Sequence, residues 1–362
     1  MTASRAAGAP DTVRIVSLPG DGIGPEVCRE GVRVLELACR RAGRRLEVVE
    51  MLLGGCALDL GKPALPDETR RALEGADAVL LGAVGLPKYD GMPGDRRPEK
   101  GLLDLRKALG VYANLRPVRA VPVLAGASPL KEEIVRGTDM VVVRELLGDV
   151  YFGEPRGFDP DGQRAFNTMS YSVPEVTRVA KIAFEMARGR RKLVTSVDKA
   201  NVLEASQLWR RVVTELSKGY PDVKLEHQYV DSCAMDLIKK PARFDVVVTS
   251  NLFGDILTDE ASVLAGSIGL LPSASLGDGP GLFEPIHGSA PDIAGKGIAN
   301  PLGTIASVAM MLRSSLGMPK EAELLERAID QVLLDGHRTP DLGGQVKTSE
   351  MGDHVCRAFQ SQ

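Results

Sequence analysis

Short apolar runs alternate along this chain with stretches whose apolar positions recur every three or four residues. VRIVSLP (13–19) comes first, followed by a helix-period segment from about Gly24 to Ala42, LEVVEML (46–52), a second helical segment from Pro66 to Glu74, and ADAVLLGAV (76–84). Strand alternating with helix predicts an α/β protein with a mainly parallel sheet and helices on its faces. A polar segment (87–100) leads to a helix over 101–109, and ANLRPVRAV (113–121) and DMVVVREL (139–146) read as strands. The alternation then resumes with a helix over 174–188, KLVTSVD (192–198), a helix over 202–218, VKLEHQYV (223–230), a helix over 231–239, FDVVVTS (244–250) and a long helix from Asp255 to Ser267. Residues 151–171, YFGEPRGFDPDGQRAFNTMSY, crowd turn formers between short β-prone pieces and predict a projecting hairpin or arm. Glycine-rich loops at 277–281 and 288–303 precede helices near 302–316 and 320–335.

A length of 362 residues exceeds what one core usually serves, so two lobes are expected. The first is built from both chain ends, 1–111 plus 266–362, and the second, 112–265, is inserted between them and carries the arm. A net charge of −3 offers no basic excess for nucleic acid, and no stretch approaches the roughly 20 apolar residues that span a bilayer. Five cysteines, odd in number and without metal-knuckle spacing, read as reduced thiols of a cytoplasmic protein. MTASRAAGAPD at the start is small and polar, and is expected to be a flexible tail.

Candidate chemistry concentrates in a few strings. NLFGDILTDE (251–260) sets Asp255 and Asp259 four positions apart, on one helical face. Two readings stand: acidic residues complementing a helix N-terminus, or two oxygen ligands for a hard divalent cation, which would turn mutual repulsion into attraction. LPGDGIGPEV (18–27) invites a dinucleotide-fingerprint reading, but its spacing is G-x-G-x-G and no acidic residue ends the next strand at the required distance. Those glycines are read as permitting a tight turn. In PEKGLLDLRK (98–107), Glu99, Leu102, Leu103 and Arg106 share a helical face, either as core margin or as an apolar patch beside a guanidinium. Arg116 and Arg144 end apolar runs, and three converging guanidiniums would grip a dicarboxylate. Tyr151 and Lys199 are candidate proton-transfer groups, Asp231 is a carboxylate at a strand end, and HGSAPDIAGKGIANP (287–301) has the composition of an anion-binding nest.

Jointly, GDGIGPE, RPEKGLLDLRK, NLRP, YFGEPRG, SVDKANVL, NLFGDILTDEAS, LPSASL and HGSAPDIAGKGIANP resemble the isocitrate/isopropylmalate family of β-decarboxylating dehydrogenases from about Val13 to Phe359. The resemblance implies a doubly wound two-lobed α/β fold that is not of Rossmann topology. It further implies Mg²⁺ or Mn²⁺ held by Asp255, Asp259 and an Asp231 from the second subunit of a homodimer. Arg106, Arg116 and Arg144 match the family's carboxylate clamp, with Leu102 and Leu103 facing the variable substituent and Glu99 near the nicotinamide ribose. Lys199, also from the partner, matches the base, and Tyr151 the group that protonates the product carbon. His287, Gly288, Ser289, Ala290, Pro291, Asp292, Ile293 and Asn300 match the adenosine side of the cofactor site, where Asp292 favours NAD. An apolar surface toward the variable group implies 3-isopropylmalate as substrate and 4-methyl-2-oxopentanoate as product, a step in leucine synthesis; the alternatives are another 3-substituted malate (homoisocitrate, tartrate or a methylthioalkylmalate) or a noncatalytic regulatory paralogue. The chain departs from the family's common strings at Gly85-Leu86, where GGPKW is frequent, at Ser250, and at Ser232-Cys233.

Overall fold

The computed structural model describes residues 12–362; the N-terminal tail expected at 1–11 lies outside them. Its strands are β1 (Thr12–Gly20), β2 (Arg45–Glu50), β3 (Ala78–Ala83), β4 (Val111–Arg119), β5 (Asp139–Glu145), β6 (Gly157–Phe158), β7 (Ala165–Phe166), β8 (Leu193–Asp198), β9 (Lys224–Tyr229), β10 (Val246–Thr249), β11 (Pro272–Gly277) and β12 (Gly281–Pro285). The chain folds as two compact units. One comprises residues up to Leu105 together with Pro280–Gln362, and the other is Arg106–Gly279. The second unit takes in 272–277, where β11 pairs antiparallel with β4.

In the first unit the strands run β2-β1-β3-β12, all parallel. Every residue of β3 is buried, as an inner parallel strand with both faces covered requires. The outermost strand, RLEVVE, is half-exposed and charged, which discourages pairing with another chain. Helix Gly24–Arg41 begins with Pro25 in its first turn, where a missing N–H costs nothing. It buries Val27, Val34, Leu35 and Ala38, and packs against helices 302–314 and 348–360. Each Val or Leu buried in this way stabilises the unit by about 1.5–3 kcal/mol.

In the second unit the order is β11-β4-β5-β10-β8-β9. β4 is antiparallel to both neighbours, and the remaining pairs are parallel. Val118, Met140, Val142, Val197, Phe244 and Val247 join Leu237 and Leu257 from two helices in one core cluster. The segment 151–171 holds the two-stranded antiparallel ribbon β6-β7. Helix Asn251–Ser262 starts four residues before the expected Asp255 and ends before Ser267, giving way to a 3-10 turn at Val263–Ala265. Its first turn therefore contains no acidic residue, which removes dipole complementation as the reason for Asp255 and Asp259.

All five cysteines are free, and all but Cys56 are buried. Burial pushes the Cys28 and Cys233 thiols up to about 12, so neither is a nucleophile at neutral pH. No helix among the described residues is long and apolar enough to cross a membrane.

Candidate active site

The groups singled out in the sequence fall into three sets. Two lie in the second unit. Arg116 on β4, Arg144 at the end of β5, Tyr151 on the 3-10 turn Asp149–Tyr151, and Asp255 and Asp259 on helix 251–262 come together. Arg144 donates from Nη1 to Asp255 Oδ1 in a very short contact, and the Tyr151 hydroxyl donates to Asp255 Oδ2 at 2.7 Å. Arg116 lies 3.6 Å from Asp255 and 3.5 Å from Asp259. Arg106 joins them electrostatically: its charge acts on both Arg144 and Asp255. Three buried guanidiniums thus converge, as their separate positions in the sequence do not reveal.

This convergence sets the charge states. Burial and the like charges of Arg116 and Arg106 lower the Arg144 pKa to about 10, against the pull of Asp255, and it stays a cation at neutral pH. Burial alone would raise Asp255, but Arg144, the Tyr151 hydroxyl, Arg116 and Arg106 outweigh it and hold the carboxyl below its ordinary range. Asp259 moves the other way, raised by burial and by the neighbouring Asp255 charge despite Arg116. Burial and the bond to Asp255 raise Tyr151, which therefore keeps its proton and stands ready as a donor.

Two of these side chains are fixed by residues that the sequence reading passed over. Arg116 Nε donates to Asn114 Oδ1 (2.7 Å) and its Nη1 to Thr258 Oγ1 (2.6 Å). Asn114 in turn donates to Ser273 and Ser275 on β11. Asn251 Oδ1 accepts from Arg144 Nε (3.0 Å) and Nη2 (2.7 Å), while its Nδ2 donates to the carbonyls of Leu146 (3.0 Å) and Gly148 (3.2 Å). Asn114, two positions before Arg116 on β4, is a local signal, whereas the partners of Thr258 and Asn251 and the serines behind Asn114 lie more than a hundred positions away.

The second set is a pair. Lys199, just past β8, donates from Nζ to Asp231 Oδ1 at 2.7 Å, and this bond is the main reason the Asp231 carboxyl is held below its usual range. Asp231 does not join Asp255 and Asp259 within the chain, and no group of three His, Cys, Asp or Glu side chains poised for a metal occurs among the described residues.

The third set belongs to the first unit. His287 is buried; its Nδ1 meets the Gly288 carbonyl at 2.9 Å, while Nε2 is buried with no hydrogen-bond partner. Burial lowers its pKa, so the ring is neutral. Gly288 is exposed with open space around it, Asp292 is exposed, and Ala290 takes a positive φ of 38°. Ile293 packs on Ile23 and Val27, and Asn300 accepts from Leu302 N–H (3.0 Å) and donates to Asp341 (3.0 Å). Glu99 is exposed beside the Gly85 loop, and Leu102 and Leu103 are half-buried, whereas Leu105 and Leu109 of the same helix fill the core. The first glycine loop is packed solid: a Cβ on Gly22 (φ 57°) would lie 1.9 Å from the Ser289 carbonyl oxygen. The aspartate inside that motif, Asp21, accepts from the N–H groups of Gly55, Cys56 and Gly85 and pins three loops together.

Residues 14–355 match the family described as isocitrate/isopropylmalate dehydrogenase. The chain belongs to that family. A 3-isopropylmalate dehydrogenase of Anaeromyxobacter dehalogenans is 59% identical over 95% of this chain and 98% of its own length. One from Aquifex aeolicus is 54% identical over 96% and 97%. Among solved structures, an isocitrate dehydrogenase from Methylococcus capsulatus superposes with a TM-score of 0.86 at 35% identity, covering 96% of this chain and 99% of that one.

Proposed function

We propose that this chain catalyses the NAD-dependent oxidative decarboxylation of 3-isopropylmalate to 4-methyl-2-oxopentanoate and carbon dioxide, a step of leucine biosynthesis. The observation that carries the reading is the convergence of Arg106, Arg116 and Arg144 beside Tyr151 and the Asp255 carboxylate. Planar guanidiniums suit a substrate with two carboxylates. Leu102 and Leu103, half-exposed on the helix that carries Arg106, suit an alkyl substituent better than a third carboxylate.

The donor chemistry fits a hard divalent ion. Asp255 and Asp259 offer carboxylate oxygens one turn apart, and the Asp255 charge raises the cost of ionising Asp259, which Mg²⁺ or Mn²⁺ would relieve, with Asp231 of a second copy as third ligand. The partnerless His287 Nε2, the open Gly288 and the exposed Asp292 fit the adenosine half of NAD, and the Asp292 carboxylate repels the 2′-phosphate of NADP. When bound, NAD would supply a hydride acceptor and the divalent ion a Lewis acid for the substrate.

The side chains do the rest. The arginines orient both carboxylates, and Lys199 takes the proton of the 2-hydroxyl as the C2 hydride departs. The C3–carboxylate bond then breaks, carbon dioxide leaves, and its electron pair stays on the substrate as an enolate. Tyr151, held protonated by its surroundings, gives its proton to C3.

The same reading makes the enzyme a homodimer. The Lys199–Asp231 pair serves the arginine–aspartate cluster of the partner copy. Apolar side chains left exposed on the second unit, Phe158 on the ribbon, Met235 on helix 230–239 and Ile256 on helix 251–262, would be covered by that partner. Free cysteines suit a reducing compartment, and we assign the enzyme to the cytoplasm.

The test is a turnover panel with Mg²⁺ and either NAD or NADP over 3-isopropylmalate, isocitrate, homoisocitrate and tartrate. The expected optimum is 3-isopropylmalate with NAD. Faster oxidation of another acid replaces the substrate, and inactivity of well-folded protein on all of them indicates a noncatalytic paralogue.

A further inference from the structure

Asp149 is fully buried and holds a φ of 68°, a left-handed conformation that a residue with a Cβ adopts at a cost. Glycine would take the same backbone angle freely. What aspartate adds is its carboxylate: Oδ1 accepts from Val150 N–H at 2.8 Å and Oδ2 from Leu252 N–H at 3.1 Å. Its backbone N–H reaches the Ser170 carbonyl (3.3 Å), and its own carbonyl accepts from Gly153 N–H (2.9 Å). Three segments therefore meet on one residue: the turn that carries Tyr151, the returning end of the arm, and the start of helix 251–262.

That helix has no cap of its own. Ser250 stands in the N-cap position, but its side chain makes no capping bond and its Oγ is buried without a partner. The first free N–H groups are satisfied from elsewhere in the fold, Asn251 N–H by the Tyr171 hydroxyl at 2.9 Å and Leu252 N–H by Asp149. One turn beyond Leu252 lies Asp255, whose carboxylate receives the Tyr151 hydroxyl; two residues beyond Asp149 lies Tyr151 itself. Both ends of the Tyr151–Asp255 contact are thus tied to the same side chain, from opposite directions.

We propose that Asp149 is a positioning residue that fixes the Tyr151 phenol relative to Asp255 by locking the tyrosine's turn onto the N-terminus of the aspartate-bearing helix. The proposal rests on the reading of Tyr151 as the proton donor. A glycine at 149 would keep the turn and lose the lock. An asparagine, which tolerates the left-handed region and retains one amide oxygen as acceptor, would keep part of it.

The experiment is a double-mutant cycle on the full-length dimer, with 3-isopropylmalate, NAD and Mg²⁺, using Asp149→Gly, Asp149→Asn, Tyr151→Phe and the two double variants. Misplacing a reacting group by about 1 Å costs on the order of a hundredfold, so Asp149→Gly should lower kcat by roughly tenfold to a hundredfold with the KM for NAD unchanged. Asp149→Asn should fall between it and wild type. Because Asp149 acts through the phenol, adding Asp149→Gly to Tyr151→Phe should slow the enzyme no further. A slow Tyr151→Phe beside a wild-type rate for Asp149→Gly, or effects that multiply in the double variant, overturns the proposal and leaves the donor reading intact. A wild-type rate for Tyr151→Phe removes the donor reading and the proposal with it. If Asp149→Gly does not fold by circular dichroism, the asparagine cycle is read by the same criteria.

Discussion

Asn251 ties Arg144 of the arginine–aspartate cluster to the backbone of the segment that follows β5, and replacing it with alanine gives a quantitative test of how that cluster is held. Truncation removes one acceptor serving two N–H groups of the buried Arg144, and two donors serving the carbonyls of Leu146 and Gly148. Neutral bonds of this kind contribute about 1 kcal/mol each and a bond to a charged group about 1.5–3, so the loss should be roughly 4 kcal/mol. Arg144 is 2% exposed and Gly148 is buried, so water cannot replace the amide cheaply. For a domain of this size each kcal/mol lowers Tm by about 2–4 °C, which puts the expected drop near 10 °C. Differential scanning calorimetry with and without 3-isopropylmalate reads it, and steady-state kinetics should show a raised KM for the acid with the KM for NAD unaltered. Asn251→Asp keeps the acceptor and loses the donors, so it should be destabilised less than alanine. A loss below about 1 kcal/mol for Asn251→Ala would refute the reasoning, because it would mean that the buried carbonyls and the guanidinium find other partners.

Two further outcomes test individual roles. Lys199→Ala should lower kcat by about 10²- to 10⁴-fold, the usual contribution of a general base, while NAD binding measured by calorimetry is kept; an unchanged rate removes Lys199 from the mechanism. Asp255→Asn should raise the Mg²⁺ concentration for half-activation at least about tenfold, a loss typical even of an outer-shell partner, and ordinary activation by Mg²⁺ in that variant would count against the metal assignment.

Much of the fold is legible in the apolar runs. β1, β3, β5 and β8 are apolar-rich strings, and each falls within a residue or two of where its pattern places it. β11 and β12 escaped because PSASLG and GLFEP are short and rich in Gly, Pro and Ser, and are strands only because β4 and β3 pair with them. Helix 251–262 was placed late because its capping groups, Tyr171 and Asp149, are distant in sequence, and Ser250 gives a local signal that the structure does not use. The candidate charges were visible as residue types at strand ends. Their convergence, and the supporting Asn114, Asn251 and Asp149, depend on contacts across more than a hundred positions that no local pattern encodes.

The claim that one chain carries two complementary part-sites can be measured directly by mixing two inactive variants, Lys199→Ala and Asp255→Asn, under conditions of subunit exchange and assaying NADH formation from 3-isopropylmalate. Random exchange between isologous dimers makes about half of them mixed, each with one intact site, so recovery of about a quarter of wild-type activity is predicted. No recovery after exchange has been verified by mass spectrometry would contradict the account, because each site would then be built from a single chain.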